Sequence, residues 1–176
     1  TAYLKELRAA GINRLSIGMQ SANTAELQLF AREHDVNQVV SAVAFARDAD
    51  FDNLSLDLIY GVPGQSIQSW LDSINQAIAL KPDHISLYAL GLETGTAMYA
   101  GVNAGYLPEP DDDLSADMYD LATEAMDAAG FHQYEISNWA KPGKVCVHNL
   151  QYWRNLPYLG MGPGAHGYAG GVRYAT

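Results

Sequence analysis

Asp57 stands where an apolar residue is expected, inside Leu54-Ser55-Leu56-Asp57-Leu58-Ile59-Tyr60. Burying a carboxylate there is costly unless something satisfies it. The fold can do so, through backbone or a nearby arginine, or the group is kept for a ligand. An ionised carboxylate accepts two hydrogen bonds in one plane, which suits the vicinal hydroxyls of a ribose. Gln20 follows the β-like run Arg14-Leu-Ser-Ile-Gly-Met19, and Arg32 comes twelve positions later. A guanidinium can clamp a carboxylate in bidentate fashion. Alone, Gln20 reads as a loop hydrogen-bonder and Arg32 as a solvated helix end; with Asp57 the three make a candidate set.

A second cluster is Cys146-Val147-His148-Asn149, followed by Tyr152-Trp153. A thiol and an imidazole two positions apart can both be ligands for a metal ion or for haem iron, and aromatic rings pack on flat macrocycles. The plainer reading, preferred on residue types alone, is a buried thiol, a capping histidine and two core aromatics. His132, His148 and His166 lack zinc-site spacing, and no Gly-x-Ser-x-Gly is present. Gly61-Val-Pro-Gly64 lies at a strand end, either for close backbone approach to a ligand or as a tight turn. The glycine-rich stretch Gly160 to His166 lacks the lysine of a phosphate-binding loop. A single cysteine, Cys146, excludes an internal disulfide and any zinc or iron–sulfur site that needs several thiolates from this chain. A reducing, cytoplasmic setting follows as the simplest expectation.

The elements that must position these residues alternate. Ala2 to Ala10 reads as a helix stopped by Gly11, with no strand before it, which predicts that an N-terminal part is absent. A strand runs from Arg14 to Met19, and Asn23 or Thr24 caps a short helix to Phe30. Val36, Val39, Val40 and Val43 mark the next helix. A strand from Asn53 to Tyr60 precedes a helix capped by Ser66 and carrying Trp70, Leu71 and Ile74; Lys81-Pro82 stops it. His84 to Leu90 is a third strand. Leu92 to Pro110 is a loop with one helical turn. Asp111-Asp-Asp opens a long helix that ends at Gly130, and Phe131 to Ile136 is a fourth strand. Such alternation predicts a parallel sheet joined by right-handed crossovers. Four strands are half of a (β/α)₈ barrel; a doubly wound sheet competes, weakened by the lack of Gly-x-Gly-x-x-Gly after a strand. The predicted division is residues 1–137 and a more β-rich region over 138–176, with a short helix from Val145 to Arg154 and a hairpin turning at Gly170-Gly171. With 48% hydrophobic residues the chain can bury a core. Twenty acidic against ten basic residues argue against a nucleic-acid partner, and no apolar run reaches the roughly 20 residues that span a bilayer.

Six segments, in order, carry a family resemblance: Gly18-Met-Gln-Ser21, Arg32-Glu-His34, Asp57 to Gln65, Ala140-Lys-Pro-Gly143, Cys146 to Asn155, and Tyr158 to His166. The series resembles the oxygen-independent coproporphyrinogen III oxidase-like radical S-adenosylmethionine (SAM) proteins. Its His148-Asn149…Tyr152-Trp153 stretch is similar to the subgroup regarded as haem chaperones rather than to the oxidases. The resemblance implies an α/β fold, the C-terminal half of a partial (β/α)₆ TIM-like barrel plus the opening of a C-terminal region. It implies SAM binding by Gln20, Arg32 and Asp57, whose spacings of twelve and twenty-five match, with Gly91 as a small residue near the adenine. It also implies a [4Fe–4S] cluster whose three cysteines lie upstream and outside this chain, so that the chain alone is inactive in radical chemistry. Haem is the implied ligand, with Cys146 and His148 as candidate iron ligands, and coproporphyrinogen III the alternative. A half-barrel should expose a strand edge, which predicts self-association.

Overall fold

The computed structural model describes residues 2–175 and divides the chain into one unit ending at Lys144 and another beginning at Val145. In the first, α1 (Ala2–Ala9) leads into β1 (Leu15–Gln20), followed by α2 (Thr24–Leu29), α3 (Val36–Asp48), β2 (Leu54–Tyr60), α4 (Ile67–Ala79) and β3 (His84–Ala89). Then come α5 (Ala97–Asn103), α6 (Asp112–Ala128), β4 (His132–Glu135) and β5 (Asn138–Ala140). The helix starts are chemically marked. Asn23 accepts from the Ala25 N–H, Ser66 from Ser69 and Asp111 from Leu114, while Asp35 and Gln38 form a reciprocal capping box.

The sheet order is β1-β2-β3-β5-β4. The first three strands are parallel, as the alternation predicts, but β5 runs antiparallel to both β3 and β4. The fourth predicted strand exists as β4, yet it does not neighbour β3. The chain turns back at Ile136-Ser137 and inserts β5 between them. A tight turn suffices for antiparallel strands, and Trp139 of β5, paired with Ile85, is fully buried. Three residues are too few to announce themselves by alternation. This insertion also moves the boundary: Asn138–Ala140 belong to the first unit's sheet, so the division falls after Lys144 rather than at 137/138.

Period-two geometry gives the sheet two unlike faces. Leu54, Leu56, Leu58 and Tyr60, with Ile85, Leu87 and Trp139, pack into one core with Val39, Val43, Trp70, Ile74, Met118 and Met126 from α3, α4 and α6. Trp70 is fully buried there and donates its indole N–H to the Met118 carbonyl at 2.9 Å. The residues between them form the opposite face: Ser16 and Gly18; Ser55, Asp57 and Ile59; His84, Ser86 and Tyr88; the β1–β2 register slips after Gly18, so that Gln20 stands beside Leu58. Among the described residues no helix is long and apolar enough to cross a membrane.

A buried carboxylate joins the loops at the carboxyl ends of β1 and β2. Glu26, 6% exposed, accepts from the Ser21 hydroxyl (2.6 Å), the Ser69 hydroxyl (2.6 Å) and the Gln65 amide (2.9 Å). Ser21 follows Gln20 directly, and Gln65 closes Gly61-Val-Pro-Gly64 by accepting from the Val62 N–H. The charge is thus balanced by three donors rather than by a cation, the arrangement a buried carboxylate requires.

In the second unit α7 (Val147–Trp153) precedes a hairpin of β6 (His166–Ala169) and β7 (Val172–Ala175). Gly170 and Gly171 both have positive φ, +60° and +79°, which a two-residue hairpin turn of this kind demands.

Two measurements test this account. Glu26→Ala strands the donors of Ser21, Ser69 and Gln65 and should cost about 3 kcal/mol, read as a lowered urea midpoint at pH 7; an unchanged midpoint contradicts the network. His84, 1% exposed, is held neutral by burial, with the Arg14 guanidinium adding to the effect, and its pKa falls from 6.5 to about 3. The unfolded chain therefore binds the extra proton between pH 6.5 and 3, so this contribution to stability is whole above pH 6.5 and lost as pH falls through that window. His84→Gln should be less stable than the wild type at pH 7, and the gap should narrow by pH 5; a constant gap would count against a neutral buried imidazole.

Candidate functional site

Gln20 is the last residue of β1 and takes φ +62°. The Ser21 N–H donates to the Met19 carbonyl at 2.8 Å across it. A three-residue turn with positive φ at its centre is the rarer, strained γ form, and for a non-glycine residue such a conformation is held only by its surroundings. Here the surroundings are Ser21, fixed by Glu26, and Ala22, whose N–H donates to Ser73. The turn sends the Gln20 side chain back over its own strand. A Cβ on Gly18 would lie 2.6 Å from the Gln20 Nε2 atom, so the amide occupies the space that glycine vacates. Gly18 is in register with Asp57. The Gln20 amide and the Asp57 carboxylate therefore share the polar sheet face on adjacent strands.

The Asp57 carboxylate is half-buried and already engaged. The Ser16 hydroxyl lies 2.9 and 2.8 Å from its two oxygens, and Ser55 Oγ lies 3.4 Å from Oδ1. Its expected arginine or backbone partners are absent from this set: serine hydroxyls satisfy it. Ser16 donates one proton to two oxygens, so the carboxylate keeps accepting capacity for a further donor.

Arg32 emerges from a Schellman-type helix end. Its N–H bonds to Leu27 O, the Ala31 N–H bonds to Gln28 O, and Ala31 takes φ +52°. Two residues on, the His34 ring lies 3.3 Å from the Met19 carbonyl and ties this loop to the end of β1. The Arg32 side chain is exposed; the geometry puts Gln20 and Asp57 on one sheet face but does not bring the Arg32 guanidinium to either. Gly91 lines a cavity of 310 Å³ with Leu29, Phe30, Ala31 and Met98, so it opens onto the same helix end from which Arg32 departs. A Cβ on Gly91 would meet nothing nearer than Glu93 Oε1 at 3.8 Å. Packing does not demand glycine there, and a side chain would only intrude on the cavity. Gln20, Asp57 and Arg32 are not among the residues that line this cavity.

The Gly61–Gly64 loop faces a different environment. Its cavity of 230 Å³ is shared with Glu109 and Asp111, whose charges repel a phosphate. In the second unit, Cys146 is half-buried just before α7 and makes no side-chain cap. His148 is exposed, not a helix cap, and its Nε2 pairs with the Tyr152 hydroxyl at 2.8 Å. Tyr152 packs edge-on against His148 and Tyr158, while Val147, Trp153 and Leu159 are exposed. The plainer reading therefore fails for the aromatics, which are not core. Among the described residues no three His, Cys, Asp or Glu side chains converge as a metal site, and the single thiol does not fit a [4Fe–4S] cluster.

Sequence reasoning missed Ser16, Ser55, His84 and Tyr134, which continue the Asp57 site. The signal was available as polar residues at every second position, Ser16-x-Gly18-x-Gln20 and Ser55-x-Asp57, on strands whose other positions are apolar.

The sequence profile of the Radical SAM superfamily matches residues 1–77. The chain is 46% identical over 159 residues to the mouse protein "Radical S-adenosyl methionine domain-containing protein 1, mitochondrial", covering 90% of this chain and 36% of that protein. It is 44% identical over 170 residues to "Heme chaperone HemW" of Bacillus subtilis (strain 168), covering 97% and 45%. Coproporphyrinogen III oxidase (HemN) of Escherichia coli, described as a radical SAM enzyme, superposes with a TM-score of 0.79 at 25% identity, covering 96% of this chain and 41% of that one. The chain thus spans less than half the length of these relatives. By these matches the chain belongs to the radical SAM superfamily, in its oxygen-independent coproporphyrinogen III oxidase-like branch with the haem-chaperone relatives.

Proposed function

We propose that this chain supplies the Gln20, Asp57, Arg32 and Gly91 side of a SAM pocket in a protein that acts as a haem chaperone. The observation that carries the reading is the Gln20 amide turned back over Gly18, opposite Asp57. A strained turn that aims a carboxamide beside a carboxylate with accepting capacity to spare is the kind of outlier that clusters at binding sites. Bound SAM, with the cluster that the superfamily implies, supplies the radical chemistry; this chain's residues bind and orient. Asp57 accepts from the ribose hydroxyls, Gln20 offers donor and acceptor to the amino-acid portion, Arg32 reaches its carboxylate, and Gly91 leaves room for the base.

Haem enters through the relatives named haem chaperones, at 44% identity for the Bacillus subtilis protein, against 25% for the oxidase structure. The exposed Val147, Trp153 and Leu159 with the His148–Tyr152 pair favour a flat apolar ligand over the anionic porphyrinogen. Cys146 and His148 remain the proposed iron ligands. The coproporphyrinogen oxidase activity is the second reading, supported by the superposition alone. A cytoplasmic location is proposed with the chaperone role. The outer edge of β1, which pairs only with β2 among the described residues, is proposed to drive self-association of the isolated 176-residue chain.

Asp57→Asn in the full-length protein should weaken SAM binding by about 1.5–3 kcal/mol in anaerobic calorimetry; unchanged affinity removes Asp57 from the pocket. Haem titration of the full-length protein should saturate while coproporphyrinogen III is not turned over; turnover without haem binding reverses the ranking. Anaerobic reconstitution of the 176-residue chain should give no stoichiometric cluster absorption, and light scattering should show oligomers; a cluster-bearing or monomeric chain contradicts the respective proposal.

A further inference from the structure

Asp57 is the end of a hydrogen-bonded row that crosses the polar face of the sheet. Ser55 Oγ lies 3.4 Å from Asp57 Oδ1 and 2.8 Å from His84 Nδ1, and His84 Nε2 lies 2.8 Å from the Tyr134 hydroxyl. Ser55 and His84 are partners in register, and both are fully or almost fully buried. Tyr134 sits where the β4–β5 register slips, between Gln133 and Glu135. Its ring lies 5.6 Å from that of His84; between the two strands, the β5 residue in register with His84 is Ala140, which is small.

The two 2.8 Å contacts of His84 fit either tautomer of its ring; in the one that serves Asp57, the Ser55 hydroxyl donates to the carboxylate, which only accepts, over 3.4 Å. Its single proton is then used, and Ser55 Oγ must accept from the Nδ1–H of His84. A neutral imidazole with its proton on Nδ1 has a bare Nε2, which accepts from the Tyr134 hydroxyl. Every donor in the row points toward Asp57. Charging His84 would put a proton on Nε2 and reverse the Tyr134 bond, the phenol oxygen then accepting; burial and the nearby Arg14 oppose that charge. Arg14, Asp57 and Tyr134 are the titratable or charged groups that face His84 in this row.

We propose that His84, acting through Ser55 and held by Tyr134, is a positioning residue that fixes the direction of the Asp57 carboxylate for its ligand. The proposal rests on the reading of Asp57 as part of the SAM pocket. His84 and Tyr134 touch no ligand in it; they set the Ser55 proton, and Ser55 with Ser16 sets the plane of the carboxylate. A ligand diol can meet both carboxylate oxygens only if that plane is held before binding, which is where a positioning group lowers the cost of association.

The test is SAM affinity of the full-length protein by anaerobic calorimetry, at pH 7.5, for Ser55→Ala, His84→Phe, His84→Asn and Asp57→Asn, with folding checked by thermal unfolding. Ser55→Ala and His84→Phe should each weaken SAM binding about tenfold in protein that is still folded. His84→Asn, whose side-chain amide can present a donor near the Nδ1 position, should recover most of the loss. The double variant Ser55→Ala/Asp57→Asn should bind no more weakly than Asp57→Asn alone. Should His84→Phe not fold, Ser55→Ala and its combination with Asp57→Asn carry the test. If Asp57→Asn weakens SAM binding while Ser55→Ala and His84→Phe leave it unchanged, or if Asn at 84 rescues nothing, the positioning role is overturned and the pocket survives. If Asp57→Asn itself leaves affinity unchanged, the pocket reading fails and this proposal with it.

Discussion

A β-strand can show only two faces, and the three parallel strands here assign them opposite chemistries. Leu54, Leu56, Leu58, Ile85 and Leu87 face α3, α4 and α6 and are removed from water. Full burial of each such side chain is worth about 1.5–3 kcal/mol, so a register slip of one residue, which would exchange the faces, is strongly opposed. The same constraint presents Ser16, Gly18, Ser55, Asp57 and His84 to the other side in fixed order, while Gln20, beyond a register slip, reaches that side through its turn. The apolar face holds the sheet against its helices; the polar face is positioned as a consequence.

The polar face has its own condition, that a buried charge or dipole be satisfied. Two carboxylates meet it in different ways. Glu26 is met by Ser21, Ser69 and Gln65, which leaves it structural and makes it the tie between two strand-end loops. Asp57 is met by two serines and keeps capacity for another donor. The first network supports the second, because Ser21 stabilises the strained turn that turns Gln20 back toward the Asp57 side of the sheet. Strain at a strand end and a rigid anchor beneath it are a common pairing at binding sites.

Much of this was legible in the chain. The cap at Ser66, a cap at Asn23 or Thr24, the acidic helix start at Asp111 and the three parallel strands follow from local chemistry and hydrophobic period, because caps and alternation act within a few residues. Residues 138–140 were read as loop, because three residues carry no period and because the burial of Trp139 depends on Ile85, more than fifty positions away. His148 and Tyr152 were read as cap and core; their pairing on an exposed helix face follows from the i, i+4 geometry of α7. The ends of Gln20 and Asp57 were found as residue types, but the neighbours that give them meaning were not.

Sequence alone determined the α/β class, the strands at which Gln20 and Asp57 lie, the lack of enough thiolates for a cluster, and the family. Each depends on residue type and local spacing, or on their order along the chain. Only the tertiary structure decided that β5 lies between β3 and β4, that Gln20 folds over Gly18, and that Ser55, His84 and Tyr134 form one row leading to Asp57. Those facts depend on register between strands and on which polar groups lose water together. No single segment encodes these, because the energy of a buried hydrogen bond exists only once both partners have been brought to the same place.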